Sequence, residues 1–318
     1  RVRNQVLTGI AQEQKTPQTM AARTLPVLLL GETHPYATTA SGNPAAVKGF
    51  TRDDLAGFHQ RWLRPDNVEI FVVSSLPLAE VQAQLEQRFG SWAAPAVPKG
   101  VKAFTTAAPQ GAGERIVLID RPGSPQSYIL AGQLVPIDPR GDMAPVNAAN
   151  DVLAGSFLSR VNMDLRETKG WSYGVGGGPQ LNKQLVRYTL SAPVQADRTA
   201  DSIAALRKDV RDFLTTKGVT QDEMTRTLAQ RINELPGSFE TAASVLQAMQ
   251  SNALYGRPDN YHEILANRYR TLTREAIDAA LRGELDPNGF VWVVVGDAAK
   301  VRPQLKSVGL PVEEVQPR

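Results

Sequence analysis

The sequence predicts an α+β fold in which a mainly antiparallel sheet carries helices packed on one face, with this unit repeated along the chain. Three observations support the prediction. Strand-like apolar segments are followed by amphipathic helices between residues 115 and 297, an order typical of the α+β class. One block of sequence occurs twice. The length of 318 residues allows two domains, and the 42% hydrophobic and 21% charged content is ordinary for globular proteins.

The first segment, residues 1–91, contains a predicted helix, turn, strand and second helix. Thr51 is the expected cap of the first helix. The apolar face of that helix consists of Leu55, Phe58 and Trp62. A turn at residues 64–67 leads to residues 68–73, an apolar run typical of a buried strand. Gly90 ends the second helix, whose apolar residues recur four positions apart at Val81, Leu85 and Phe89.

The later segment contains more elements and a candidate core. Its predicted strands are residues 115–120, 128–134, 171–176, 186–194 and 290–297. Its predicted helices are residues 145–168, 199–214 and, approximately, 220–234, 238–254 and 259–268. The core under the first of these helices is expected to contain Val152, Phe157, Val161 and Leu165.

An internal repeat predicts the domain organisation. Residues 50–73 align without gaps to residues 272–295, and Pro65 corresponds to Pro287, 222 positions later. Such a long period indicates two copies of one domain. The second copy opens with a strand at residue 115, whose counterpart would precede Arg1. We therefore expect residues 1–91 to be the second half of a first domain whose front half is absent, residues 92–113 to be a Pro/Ala/Gly-rich linker, and residues 114–318 to be a complete second domain.

Composition excludes several classes of protein. The net charge of +3 is spread over interspersed acidic and basic residues, which gives no nucleic-acid footprint. The chain has no cysteine, so disulfides and thiolate metal sites are excluded. No apolar run approaches the roughly 20 residues of a membrane span. The chain starts at Arg1 without Met or an apolar leader, so any targeting segment is expected to have been removed. We expect the protein to be periplasmic or secreted.

Arg166 and Tyr173 are the candidate functional pair. They lie seven residues apart, on either side of Gly170, which is the expected helix stop. Arginine offers a permanently charged fork of donors and tyrosine one neutral O–H, a combination that could stabilise an oxyanion or hold a peptide carbonyl. The alternative is that Arg166 pairs with a surface carboxylate and that Tyr173 is a half-buried packing residue; spacing alone favours this alternative.

Several motifs together resemble the insulinase/pitrilysin (M16) family of metallopeptidases. The motifs are the segments at residues 31–36, 65–67, 118–127, 160–170 and 293–297. The resemblance spans nearly the whole chain. It implies domains of the mitochondrial-processing-peptidase type, paired as two halves of a clam-shell around a chamber that takes unfolded peptides.

The same resemblance implies that the zinc of the family lies elsewhere. The family site is His-x-x-Glu-His with a Glu downstream, where two His and the downstream Glu bind Zn²⁺ and the other Glu activates water. Neither His34, His59 nor His262 has this spacing, so none is expected to bind metal. The alignment places Gly9 at the position of the downstream ligand, and glycine has no side chain that could coordinate. We expect no cofactor in this chain and zinc in a catalytic partner.

The family resemblance favours a functional role for Arg166 and Tyr173 over a purely structural one. The non-catalytic copy of the family supplies an Arg and a Tyr to the partner's zinc site, and these correspond to Arg166 and Tyr173. Residues 174–178 are rich in glycine, but they open no helix, so a phosphate loop is rejected. An extended edge there suits pairing with a peptide strand, and Gly174, Gly176 and Gly177 are the predicted substrate-binding residues.

Two functions therefore remain open at the level of sequence. The chain is either the non-catalytic portion of an M16-type zinc endopeptidase or a structural, chaperone-like homologue without peptidase activity. The presence of both Arg166 and Tyr173 favours the peptidase. The expected partners are a catalytic M16 domain or subunit carrying His-x-x-Glu-His and a peptide substrate. Nucleic acid is not expected as a partner, and the exposed half-domain could form a homo-oligomer.

Overall fold

The computed structural model describes residues 1–102 and 113–317. Its α-helices are α1 (Val2–Glu13), α2 (Pro17–Leu30), α3 (Pro44–Gly49), α4 (Arg52–Trp62), α5 (Leu78–Phe89), α6 (Ala144–Asn150), α7 (Arg160–Asn162), α8 (Thr199–Thr215), α9 (Gln221–Gly237), α10 (Ala242–Tyr255), α11 (Tyr261–Thr271), α12 (Arg274–Ala279) and α13 (Ala298–Leu305). Its strands are β1 (Arg115–Asp120), β2 (Gln126–Val135), β3 (Gly176–Leu181), β4 (Val186–Gln195), β5 (Val291–Gly296) and β6 (Val312–Val315).

The six strands form one mixed sheet in the order β3-β4-β2-β5-β1-β6. Three of the neighbouring pairs are antiparallel, namely β3–β4, β4–β2 and β2–β5. The pairs β5–β1 and β1–β6 are parallel. The predicted α+β class with a mainly antiparallel sheet is confirmed, as are the strands β1, β2, β4 and β5 within a few residues at their ends.

Helices cover both faces of the central strands. Along β5, Trp292 and Val294 face the larger apolar cluster, which contains residues of α6, α8 and α13. The alternate residues Val291, Val293 and Val295 face a second cluster built mainly from α2. Successive side chains of a strand point to opposite faces, so a strand buried on both sides reads as a continuous apolar run. All six residues of β5 are buried.

The cover on the second face comes from the first segment of the chain. Helix α2 packs on β2 and β5, and its Met20, Leu25 and Leu30 are almost completely buried. Full burial of such a side chain contributes about 1.5–3 kcal/mol relative to exposure. The sequence analysis predicted helices on one face only, and α2 adds a layer that joins the first segment to the sheet of the second.

The predicted strand at residues 68–73 is wrong, because these residues form no regular strand. Val68, Ile70 and Val72 are instead exposed to solvent. A strand is stable only when its backbone groups pair with a neighbour. Residues 1–102 of the structure contain no other strand that could pair with this one.

The prediction of one continuous helix over residues 145–168 is also wrong. This region is split into α6 and α7, each followed by a wide π-helical turn, Asp151–Gly155 and Met163–Thr168. Ser156 between them is extended, with φ −115° and ψ 165°. The break turns Phe157 outward, and this side chain is 60% exposed, so its assignment to the core is wrong. Val152, Val161 and Leu165 are buried as predicted.

The predicted strand at residues 171–176 is displaced along the chain. Only Ser172 makes a bridge there, to Val194, and the paired strand is β3, which begins at Gly176. Part of the predicted linker at residues 92–113, namely residues 103–112, lies outside the described residues. Within the described parts of the chain, no helix is long and apolar enough to cross a membrane.

Candidate functional site

The π-helical turn Met163–Thr168 carries Arg166 to the edge of the sheet. It continues α7, and its last carbonyls are capped by the amides of Lys169, Gly170 and Trp171. Gly170 has φ +65°, a left-handed conformation that glycine adopts without steric cost. The chain reverses direction at Gly170, and Tyr173 therefore lies beside the end of the π-helical turn that carries Arg166.

Asn162 connects the two chain segments on which the pair depends. Its side chain is 97% buried; the Nδ2 donates to the carbonyl of Phe157 at 2.7 Å, and the Oδ1 accepts from the amide of Val175 at 2.9 Å. One amide side chain therefore fixes the break before α7 against the loop after Tyr173. The sequence analysis missed Asn162; an amide inside the apolar pattern of a helix was the available signal.

Ser172 fixes the loop from the other side. Its Oγ donates to the carbonyl of Pro193 on β4 at 2.6 Å, and it accepts from the amide of Gly174 at 3.2 Å. The loop is thus bonded to β4 immediately before Tyr173 and to Asn162 immediately after it. Tyr173 itself remains 87% exposed.

The structure brings Arg166 and Tyr173 together, and Phe157 also lies close to the arginine. The guanidinium carbon of Arg166 lies 4.4 Å from the ring centroid of Phe157 and 5.3 Å from that of Tyr173. Its Nε lies 3.3 Å from an oxygen of Glu167, which is partly exposed. Stacking on aromatic faces orients the planar guanidinium and leaves its edge available for donation. Phe157 is a second residue that the sequence analysis did not place at the site.

A surface cavity of about 560 Å³ opens beside this pair. Its lining includes Arg166, Tyr173, Phe157 and the glycines Gly174, Gly176 and Gly177. All five predicted site residues therefore border one concave surface. Its outer wall is β3, which is the edge strand of the sheet.

The three predicted glycines differ in their surroundings. A Cβ at Gly174 would meet no atom closer than 3.9 Å, whereas one at Gly176 would lie 3.3 Å from the carbonyl of Ala154. At Gly177 the same atom would lie 2.1 Å from the carbonyl oxygen of Thr189 on β4. The Gly177 carbonyl also accepts from Asn150 Nδ2 at 3.0 Å. Close packing alone therefore requires glycine at position 177.

The histidines do not form a metal site with acidic neighbours. Across residues 1–102 and 113–317, no group of three His, Asp or Glu side chains could hold a metal ion. His34 Nδ1 accepts from the amide of Tyr36, His59 lies on α4, and His262 stacks against Phe239 and Tyr261. The described residues do not fit the zinc site that the family resemblance implies for the catalytic copy.

A larger cavity of about 860 Å³ lies away from this pair, between α8, α9 and α12. Most of its charged residues form ion pairs with one another. Arg160 pairs with Glu223 at 2.7 Å, Lys217 with Asp212 at 2.8 Å, and Arg282 with Asp278 at 2.9 Å. Asp209 also lines this cavity, and its Oδ2 is buried without a hydrogen-bond partner among the described residues. We regard the smaller cavity at Arg166 as the candidate site because it gathers the predicted site residues.

Asp209 on α8 is expected to make the stability of the fold near Asp164 depend on pH. Burial and the nearby carboxylate of Asp164, which is paired with Lys169, raise the pKa of Asp209 to about 7. Lys169, Lys208 and Asp212 are the other charged neighbours. Between the ordinary Asp pKa and pH 7, the folded state holds a proton that the unfolded state has released, so stability falls as pH rises through that window.

We expect Asp209→Asn to remove this loss. Relative to the wild type, the variant should gain stability on the order of 1 kcal/mol between about pH 4.5 and about pH 8, after allowance for solvent screening. Thermal melts at both pH values measure the change. Asp201→Asn, on the exposed side of the same helix, is the control. A difference between Asp209→Asn and wild type that does not depend on pH would contradict the prediction.

The chain is similar to known proteins of one family. Residues 49–231 match the family model described as the peptidase M16 inactive domain. An uncharacterized zinc protease of Mycobacterium bovis is 22% identical over 285 residues, which are 88% of this chain and 63% of that protein. The chain thus spans less than two thirds of this relative's length.

Two solved structures share the fold. The crystal structure of a peptidase M16 inactive domain from Pseudomonas fluorescens has a TM-score of 0.82 at 25% identity, covering 93% of this chain and 69% of that one. The first half of a periplasmic protease from Escherichia coli has a TM-score of 0.71 at 15% identity, covering 96% of this chain and 69% of that one. At 15% identity the likeness concerns the fold alone.

Proposed function

Because this chain belongs to the peptidase M16 family and matches the model of its inactive domain, we propose that it is the non-catalytic part of a zinc endopeptidase. In this role it contributes Arg166 and Tyr173 to the binding of a peptide and of its transition state. It also contributes a wall of the chamber that receives the peptide. The zinc is carried by a catalytic M16 domain or subunit.

The observation that carries the proposal is the juxtaposition of Arg166 and Tyr173 at one cavity. The arginine is oriented by two rings, and the tyrosine hydroxyl stands on an 87% exposed side chain. Neither group belongs to the buried core below it. A scaffold has no need to hold such a pair at an open surface, whereas a peptide site does.

The chemistry of the pair suits a carbonyl oxygen on which negative charge develops. The guanidinium keeps its charge at any usable pH, and its edge can donate two parallel hydrogen bonds. The tyrosine hydroxyl adds one neutral donor. Loss of a single donor of this kind typically costs about 2.7–4 kcal/mol of transition-state stabilisation.

The Gly-rich wall beside the pair suits the backbone of a peptide. Strand β3 pairs with β4 on one side only, and Gly174 and Gly176 have no side chains that would keep another strand away. An extended peptide could add to this edge by main-chain hydrogen bonds, with Gly174, Gly176 and Gly177 as its contacts. For the whole assembly we propose the periplasm or another extracytoplasmic compartment, in line with the periplasmic protease that shares the fold.

The proposal is tested on the purified chain with and without its catalytic partner. Alone, the chain is expected to retain no stoichiometric zinc after dialysis against a weak chelator and to leave a quenched fluorescent peptide uncleaved. With the zinc-bearing partner, cleavage should appear and should depend on Arg166. Stoichiometric zinc in the isolated chain, together with chelator-sensitive cleavage, would contradict the proposal.

Phe157 is expected to act as a positioning residue for Arg166. Phe157→Ala removes the nearer of the two rings that orient the guanidinium, an exposed contact worth about 0.5–1 kcal/mol. We therefore expect kcat/KM of the assembled peptidase to fall by about 2- to 5-fold, with little change in melting temperature because the side chain is 60% exposed. Leu158→Ala, at an exposed neighbouring position, is the control and should leave kcat/KM unchanged. Equal effects of the two variants would refute the positioning role.

A further inference from the structure

An apolar surface on the first segment has no cover among the described residues. Helices α4 and α5 contain no buried residue, and apolar side chains between residues 50 and 78 stand in solvent. The exposed set, called the open face below, comprises Phe50, Leu55, Phe58, Leu63, Val68, Ile70, Val72, Leu76 and Leu78. Exposed apolar side chains in such number usually mark an interaction site.

The internal repeat shows how the same sequence block is covered elsewhere in this chain. Leu55 is 62% exposed and corresponds to Ile277, which is completely buried. Ile70 is 51% exposed and corresponds to Trp292, also completely buried. Four further pairs follow the same rule, exposed in the first copy and buried in the second: Phe50 and Leu272, Leu63 and Leu285, Val68 and Phe290, Val72 and Val294.

Local structure supports the correspondence of the two blocks. Thr51 and Thr273 each cap a helix by accepting a backbone N–H three residues later. Each helix leads through a proline-containing turn to an apolar run. In the second copy this run is β5, which lies between parallel β1 and antiparallel β2, while α12 packs on α6. In the first copy no strand among residues 1–102 pairs with the run at residues 68–73.

Strands β1 and β2, the two that flank β5 in the second copy, are not available to residues 68–73 within the described chain. Strand β1 is paired on both edges, with β5 and β6, and β2 is paired on both edges, with β4 and β5. Strands β3 and β6 each keep one unpaired edge, in this chain and in a second copy, but a single edge pairs with only one side of residues 68–73. Before residue 50 the structure contains helices and no strand. The occupant is therefore a separate polypeptide segment.

We propose that the open face is an interface for a strand–strand–helix segment of the β1–β2–α6 type, whose two strands pair on either side of residues 68–73. One strand would run parallel to residues 68–73 and the other antiparallel, and the helix would cover Leu55 on α4. Alternate pairing on both edges satisfies the backbone of residues 68–73 and buries the open face at the same time.

The experiment uses the full chain and, as a probe, a separate polypeptide copying residues 114–150. Hydrogen exchange is followed at residues 68–73. Without the probe these amides should exchange rapidly; with it, exchange should slow by at least about tenfold, as expected when exposed amides enter a paired strand. Val72→Lys should abolish the protection. Val312→Lys is the matched control, since Val312 is equally exposed but lies on β6, and it should leave the protection intact.

Several outcomes would overturn the proposal. Residues 68–73 could be protected in the monomeric chain alone, or the chain could form a dimer that Val72→Lys disperses, in which case a second copy is the occupant. If the free probe gives no protection, the same segment is fused ahead of Arg1 through a flexible linker, which raises its effective concentration. If residues 68–73 remain unprotected in this fusion protein, the proposed interface is refuted. Because no readout involves peptide cleavage, the result is independent of the proposed function.

Discussion

Replacing Tyr173 with Phe is expected to lower kcat/KM of the assembled peptidase by about 10²-fold while its melting temperature stays nearly unchanged. The substitution removes one O–H donor and keeps the ring that stacks on Arg166. Since Tyr173 is 87% exposed, its hydroxyl contributes little to folding. The measurement is a comparison of steady-state kinetics with thermal melts for the same preparation.

Arg166→Lys should be nearly as damaging. Lysine keeps the charge, but its ammonium is a point donor that neither stacks on two rings nor offers a planar fork. A loss of about 10²-fold in kcat/KM therefore distinguishes the geometry of the guanidinium from its charge.

The chain contains a matched control for both variants. Arg257 also lies close to two aromatic rings, 4.7 Å from the Tyr255 centroid and 4.4 Å from the Tyr261 centroid, and is outside the candidate cavity. Arg257→Lys and Tyr261→Phe should leave kcat/KM unchanged. If Tyr173→Phe has no effect on turnover, or lowers the melting temperature in proportion to activity, the pair is structural and the chain is a scaffold.

Gly177→Ala is expected to have the largest effect on stability. The new methyl group would lie 2.1 Å from the carbonyl oxygen of Thr189 and 2.9 Å from the Cα of Leu190, both in the backbone of β4. Backbone cannot rotate away as a side-chain tip can, so β3 and β4 must separate. Overpacking of this kind costs about 1–3 kcal/mol or more, which corresponds to a fall of roughly 2–12 °C in melting temperature for a protein of this size.

Gly174→Ala is the control, because its Cβ would meet nothing closer than 3.9 Å. Both glycines line the same cavity, so the two variants separate a packing requirement from a substrate contact. A Gly177→Ala protein that melts with the wild type would show that the strands tolerate the methyl group, contrary to the geometry.

The sequence predicted the structure correctly where the residues of a segment determine its structure by themselves. Strand β5 was predicted because a continuous apolar run buried on both faces needs no partner to be recognised. The cap at Thr51 was predicted from local chemistry, and it forms. Arg166 and Tyr173 were singled out by the kinds of donor they carry, and the structure places them side by side.

Prediction failed where distant contacts decide the local structure. Strand β3 has the sequence Gly-Gly-Gly-Pro-Gln-Leu, which has little strand propensity of its own, and it forms because β4 pairs with it. Residues 68–73 have strong strand propensity, but no strand among residues 1–102 pairs with them.

Phe157 was assigned to the core because it continues the helical period of Val161 and Leu165. The break at Ser156 ends that period, and the break is fixed by Asn162, whose partners lie both before and after it in the chain. The outward position of Phe157 follows from these contacts, which no single-segment pattern contains.

Helix α2 has a consequence for how the molecule can be divided. Its residues precede the Pro-rich stretch by more than sixty positions in the chain, yet they form the lid on one side of β2 and β5. Cutting the polypeptide between residues 92 and 113 would therefore leave two pieces that stay associated. A recombinant protein starting at residue 114 would lack α2, and Val293 and Val295 would be exposed to solvent. A shortened protein made for expression should therefore retain residues 17–30.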